Sequence, residues 1–175
     1  ASIDSDNFAM LPVALNDRAT KEGLLPIHVA IEEKAIKALT ALVKASQAQD
    51  VMENIRASRD AYGNSLLHQM VQQDYVEGVL TLLEHAKCDV NTTNDDMDEF
   101  TDGGLPIHLA ALSGAVNSLP ILIKHGADIN SQANPTKDTP LHLAVRFNKF
   151  ESVQILFENG ASTEIKNRDE QTAVE

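Results

Sequence analysis

The sequence predicts an all-α repeat solenoid, a stack of helix–turn–helix units, and three observations predict it. His28, His68, His108 and His142 lie 40, 40 and 34 residues apart, inside the similar phrases LLPIHVA, SLLHQM, LPIHLAA and TPLHLAV. Reading forward from each histidine, five positions are apolar in every copy. Proline and glycine punctuate the copies at matching places. Self-similarity at this period marks a repeat architecture in which each unit buries its apolar face against its neighbours.

The columns place the elements in order. Two residues after the histidine stand Ala30, Met70, Ala110 and Ala144, on a short first helix. Eight after stand Ile36, Val76, Val116 and Phe150, and eleven after stand Leu39, Val79, Leu119 and Val153. Fourteen after, every copy has leucine: Leu42, Leu82, Leu122 and Leu156. Fifteen after stand Val43, Leu83, Ile123 and Phe157, completing a second helix at the 3.6-residue period. Pro26, Pro106 and Pro140 sit at the first helical turn, where a missing N–H costs nothing, and Thr139 is placed to cap the helix of Pro140. His125-Gly126 and Asn159-Gly160 read as helix stops. The units run over residues 23–62, 63–102, 103–137 and 138–170, with a partial repeat over 1–22 and the start of another over 171–175.

Composition fits this reading. Of the 175 residues 43% are hydrophobic, with no Trp, two Tyr and five Phe, so the core rests on Leu, Ile, Val and Ala. No apolar run approaches the ~20 residues that cross a bilayer, so no membrane insertion is expected. The balance of 14 basic against 26 acidic residues, a net charge of −12, disfavours nucleic acid, which needs a basic face, and is compatible with a basic protein partner. The single cysteine, Cys88, cannot form an internal disulfide, which fits a reducing, cytoplasmic or nuclear setting. The opening without Met and the ending inside a motif are expected of a segment cut from a longer protein.

Thr139-Pro140-Leu141-His142-Leu143-Ala144 and Gly126-Ala127-Asp128-Ile129-Asn130 resemble the ankyrin repeat family, with weaker copies in Pro106-Ile107-His108-Leu109-Ala110-Ala111 and Asp89-Val90-Asn91. The resemblance covers nearly the whole chain. It implies antiparallel helix pairs with β-hairpin fingers projecting between repeats, a concave recognition surface, and a monomeric domain that binds a protein or peptide and catalyses nothing. It also gives the motif histidines a structural role, a ring nitrogen bonding backbone between adjacent loops. Thr172-Ala173-Val174-Glu175 resembles the opening of a fifth repeat, but Glu175 stands on the histidine position and breaks the pattern.

Two repeats are six residues too long. In the first, the surplus falls in KASQAQDVMENI and extends the second helix or its exit. In the second, one residue precedes Val90 and five lie in TTNDDMDEFTDGG, an acidic insertion in a finger. Met97, Asp98, Glu99 and Phe100 in that insertion have two readings, a solvated loop or a contact finger for a basic segment.

Other chemistry is weighed against plainer roles. The four histidines occupy the same position in different repeats, ~10 Å apart, too far to share one metal ion. Cys88 near His85 has no third group to orient a nucleophilic pair, and His85 and His125 sit at second-helix ends where a cation favours the dipole. Asn91-Thr92-Thr93 matches a glycosylation sequon, read as idle. The acidic insertion lacks the spacing and glycine of a calcium loop. No cofactor is expected.

The ankyrin resemblance implies that the partner-binding residues lie four and five positions after each histidine, at the end of the first helix: Glu32 and Glu33, Gln72 and Gln73, Leu112 and Ser113, Arg146 and Phe147, with Tyr62 on a finger. Leu112, Arg146 and Phe147 have hot-spot chemistry, and replacing Arg146 and Phe147 by Ala is expected to leave the fold intact. The alternative function is a target-positioning segment of a larger enzyme, channel or secreted effector.

Overall fold

The computed structural model describes residue 43 and residues 49–60, 62–94 and 104–175. The partial repeat over 1–22 and the first helix of the His28 repeat lie outside them. Seven helices form among the described residues: α1 (Gln49–Ala57), α2 (Leu66–Gln72), α3 (Val76–Glu84), α4 (Pro106–Ser113), α5 (Ser118–Lys124), α6 (Pro140–Arg146) and α7 (Phe150–Glu158). The pairs α2/α3, α4/α5 and α6/α7 stack in sequence. The first helices α2, α4 and α6 pack on one another in one layer, and the second helices α3, α5 and α7 form the other.

Local chemistry sets where each helix begins and ends. Ser65 and Thr139 accept from the backbone N–H of His68 and His142, each at 3.4 Å, and cap α2 and α6. Pro106 and Pro140 open α4 and α6 at the first helical position. Gly126 and Gly160 follow α5 and α7 with φ of 89° and 87°, the left-handed conformation in which a side chain is penalised. The corresponding exit from α3 has no glycine; there the extra residue before Val90 is absorbed by Lys87, with φ of 54°.

A second left-handed position escaped the sequence reading. Six residues after each histidine, Asp74, Gly114 and Asn148 have φ of 51°, 79° and 54°, and make the turn between the two helices of a pair. The signal was present, because Asp, Gly and Asn are the residue types that tolerate this conformation. Asp74 also reaches into the next repeat. Its carboxylate accepts from the backbone N–H of Ser118 at 2.8 Å and of Asn117 at 3.2 Å, capping α5. Burial alone pushes the Asp74 carboxyl pKa up, but the hydrogen bonds from Ser118 and Asn117 outweigh it and hold the group below its ordinary value.

The core follows the predicted columns two, eleven and fourteen after the histidine, whereas Phe150 and Phe157, in the columns eight and fifteen after it, are exposed. Leu82, Leu122 and Leu156 are fully buried, as are Met70, Ala110 and Ala144, and Val79 and Leu119. A column of small buried residues lies ten after the histidine, at Gly78, Ser118 and Ser152. A Cβ on Gly78 would come within 2.6 Å of the Met70 sulfur, so this column lets the second helix approach the first.

α1 occupies the surplus of the first repeat. Its Arg56 Nε donates to the Ala86 carbonyl at 2.8 Å, tying it to the exit of α3, and Ile55 at its end is buried. The fingers are narrower than the hairpins implied by the family resemblance. Isolated antiparallel bridges, Arg59 with Ser65 and Lys166 with Thr172, take the place of longer strands among the described residues. Three residues separate Asp60 from Asn64, Asn134 from Asp138 and Asn167 from Gln171, so each tip leaves little backbone to pair. Side-chain amides carry much of the remaining bonding. In the insertion finger nine residues separate Asn94 from Gly104, yet its base is closed in the same way, Asn94 N–H donating to the Gly104 carbonyl at 3.0 Å.

Candidate functional site

Among the described residues, the motif histidines His68, His108 and His142 join fingers to helices. Each sits at the third helical position, and its Nδ1 accepts from the backbone N–H three residues back: Ser65 to His68 at 3.3 Å, Leu105 to His108 at 3.2 Å and Thr139 to His142 at 3.2 Å. On the far side, Nε2 of His108 donates to the Ser131 carbonyl at 2.9 Å and Nε2 of His142 to the Gln171 carbonyl at 3.0 Å. One nitrogen accepting and the other donating requires the neutral ring. Burial lowers the pKa of His108, and it lowers that of His68 to about 4, with Arg59 adding to the effect. The structural role expected for these residues is therefore what the geometry shows for His108 and His142.

Glu175, which interrupts the histidine column, keeps half of this work. Its Oε2 accepts from the Thr172 N–H at 2.8 Å, and this bond holds its pKa below the ordinary value. A carboxylate has no proton to pass to a following finger, so the donor half is lost.

Cys88 stands where the other repeats carry Ala127 and Ala161. The N–H of each bonds a buried leucine carbonyl, at 3.0 Å to Leu82, Leu122 and Leu156 respectively. It borders a cavity of about 170 Å³ lined also by Ile55, Leu66, Leu67 and Thr92. Burial pushes its thiol up to about 11, so it is protonated at neutral pH and a poor nucleophile. Asn91 of the sequon is engaged in structure. It accepts from the Asp128 N–H at 3.0 Å and donates to the Gly126 carbonyl at 3.2 Å, and Asn130 accepts from Ser162 N–H at 2.8 Å in the same manner.

The surface positions fall at the ends of the first helices. Gln72, Gln73, Arg146 and Phe147 are exposed, Leu112 and Ser113 are half-buried, and Ser113 returns its hydroxyl to the Leu109 carbonyl at 2.7 Å. Tyr62 projects from a finger tip, 71% exposed, its backbone fixed by an N–H bond to Asp60 Oδ1 at 2.9 Å. Glu32, Glu33, Met97, Asp98, Glu99 and Phe100 lie outside the described residues.

Arg146 differs from its expected role as a purely surface residue. Its Nη2 lies 2.7 Å from Oδ2 of Asp138, which is fully buried. Thr136 Oγ1 donates to the same oxygen at 2.7 Å, and Asn167 Nδ2 donates to Oδ1 at 2.8 Å. The sequence reading passed over Asp138, Asn134 and Asn167. The signal was an acid next to the helix cap with a guanidinium eight residues on, legible only once the finger folds back. Removing the cation leaves a buried carboxylate short of a partner. Arg146→Ala is thus expected to cost about 1–3 kcal/mol, below the ~3–5 kcal/mol of a fully buried pair because the arginine head is partly solvated. Phe147→Ala should change stability by less than about 1 kcal/mol. Urea denaturation of the two variants checks this, and equal midpoints would show that Asp138 does not depend on Arg146.

Stacked helix pairs, joined by bridged fingers and histidine hinges, define a helical repeat scaffold. Over residues 87–167 the chain belongs to the ankyrin-repeat family, matching the family model for ankyrin repeats in three copies. It is 26% identical over 167 residues, 95% of its length, to the human neurogenic locus notch homolog protein 1. It is 30% identical over 122 residues, 69% of its length, to the nuclear factor NF-kappa-B p105 subunit of Gallus gallus. To the BRCA1-associated RING domain protein 1 of Caenorhabditis elegans it is 28% identical over 105 residues, 60% of its length. The chain spans 6%, 11% and 14% of those proteins' own lengths. Ankyrin repeats are generally protein–protein interaction modules and typically non-catalytic. Among the described residues no helix is long and apolar enough to cross a membrane.

Proposed function

We propose that this chain is a recognition module that binds a partner protein or peptide along the ends of its first helices and its finger tips. The observation that carries the reading is the exposure of two aromatic side chains on hydrogen-bonded backbone, Tyr62 at 71% and Phe147 at 40%, beside a fully buried leucine column. Exposed aromatics on a fixed frame supply contact area with little ordering cost. Gln72, Gln73, Leu112, Ser113 and Arg146 complete the described part of the surface. Glu32, Glu33, Met97, Asp98, Glu99 and Phe100 enter on sequence grounds, their carboxylates suited to basic residues of the partner. One relative is named for its association with another protein, BRCA1, which agrees with a binding role.

The test is partner capture by wild type, by Tyr62→Ala/Phe147→Ala and by the second-helix variant Phe157→Ser. The reading expects the partner to be lost with the first variant and retained with the second, both remaining folded. The reverse pattern places the partner on the outer layer and sinks the proposal.

A further inference from the structure

We propose that the cavity between the end of α1, the start of α2 and the exit of α3 is a binding site for a small carboxylate carried on a compact apolar body. The cavity sits at a gap in a ladder of asparagines. Asn91 and Asn130 follow Val90 and Ile129, and the side-chain oxygen of each accepts a backbone N–H of the next repeat, from Asp128 at 3.0 Å and from Ser162 at 2.8 Å. One repeat earlier, the residue after Ile55 is Arg56, whose side chain carries donors only. Its Nε donates to the Ala86 carbonyl at 2.8 Å instead. The N–H of Asp89, at the position of Asp128 and Ser162, is thus left without a hydrogen-bond acceptor among the described residues.

Asp89 lines the cavity of about 170 Å³, and the other walls divide by chemistry. Ile55, Leu66 and Leu67 present buried apolar surface to it. Arg56 and Lys87 bring two cations, and Arg59 stands behind Thr92, its Nη2 donating to Thr92 Oγ1 at 3.5 Å. The carboxylate of Asp89 accepts from the Asn91 N–H at 2.9 Å and so is turned to its own chain. Two cations and an open N–H select an anion, and the apolar wall selects what the anion is attached to. An apolar cavity of ~150 Å³ holds a benzene ring, so a ligand the size of benzoate matches this one. Its ring lies against Ile55, Leu66 and Leu67. One carboxylate oxygen takes the Asp89 N–H, in place of the absent asparagine oxygen, and the charge faces Arg56 and Lys87. Inorganic phosphate would meet the cations and leave the apolar wall wet, and a neutral apolar molecule would leave the N–H unpaired.

The probe is benzoate, titrated into the whole chain labelled with nitrogen-15, with benzyl alcohol, benzylamine and inorganic phosphate as controls. Benzoate is expected to shift the Asp89 and Cys88 amide resonances saturably. It should also slow alkylation of Cys88, the single cysteine, which borders the cavity. Arg56→Asn supplies the oxygen that the later repeats use, so it should engage the Asp89 N–H internally, keep the fold and abolish both effects. Lys87→Gln should weaken the binding without removing it. Tighter binding by a short peptide with a free C-terminal Phe supports the same chemistry and assigns its source to a chain terminus rather than a free acid. No saturable shift with benzoate, an equal response to benzylamine or phosphate, or undiminished binding by folded Arg56→Asn would overturn the proposal.

Discussion

Gly104→Ala is expected to be among the most damaging single substitutions in the chain. A Cβ at this position would overlap the carbonyl oxygen of Ala133 and lie 2.5 Å from its carbonyl carbon. The obstacle is backbone, so no rotamer change relieves it, and two fingers would have to part. Gly104 also closes the insertion finger through its carbonyl bond from Asn94 and directly precedes the α4 cap, Leu105. Overpacking of this kind costs typically 1–3 kcal/mol, and a backbone clash belongs at or above ~3 kcal/mol. The variant should show a lowered urea midpoint and faster amide exchange in both the 131–138 finger and the start of α4. A midpoint equal to wild type would mean that the two fingers do not approach as described.

Leu122→Ala comes next, with an expected loss of roughly 2–5 kcal/mol. Leu122 is fully buried in α5, which packs on α3 on one side and α7 on the other. In a repeat array the stabilising interfaces are between nearest neighbours, so a cavity here weakens two of them. The same truncation at Leu156, in the last described pair, should cost less because its surroundings can collapse from the open side. Equal losses at the two leucines would argue against an array with an uncovered end.

The surface is less direct. That Gln72, Gln73, Arg146 and Phe147 are exposed agrees with what the ankyrin resemblance implied, since they end the first helices. That Arg146 is committed to Asp138 does not, because the bond spans a finger that must first fold back onto α6. Asp74 is a parallel case. In sequence it is a turn residue, and in space it caps a helix 43 and 44 residues further on. Cys88, which beside His85 lacks a third group to orient a reactive pair, is a half-buried substitute for alanine.

What the sequence by itself determined is everything periodic. The histidine phrases, the leucine column, the proline openings and the glycine stops fix the helix pairs and the core, because burial and capping depend on residues within one or two helical turns. What only the tertiary structure decided is everything that brings one finger against another finger or helix, or that leaves an apolar side chain bare. The need for Gly104 against Ala133, the sheltering of Asp138 by Arg146 and Asn167, and the baring of Phe150 and Phe157 at the end of the stack all belong here. Their physical reason is shared. Steric fit, desolvation of a charge and burial of an apolar side chain depend on the distance to atoms of other fingers and helices, 8 residues away for Arg146 and Asp138 and 29 for Asn167 and Asp138, and a local pattern carries no information about that distance.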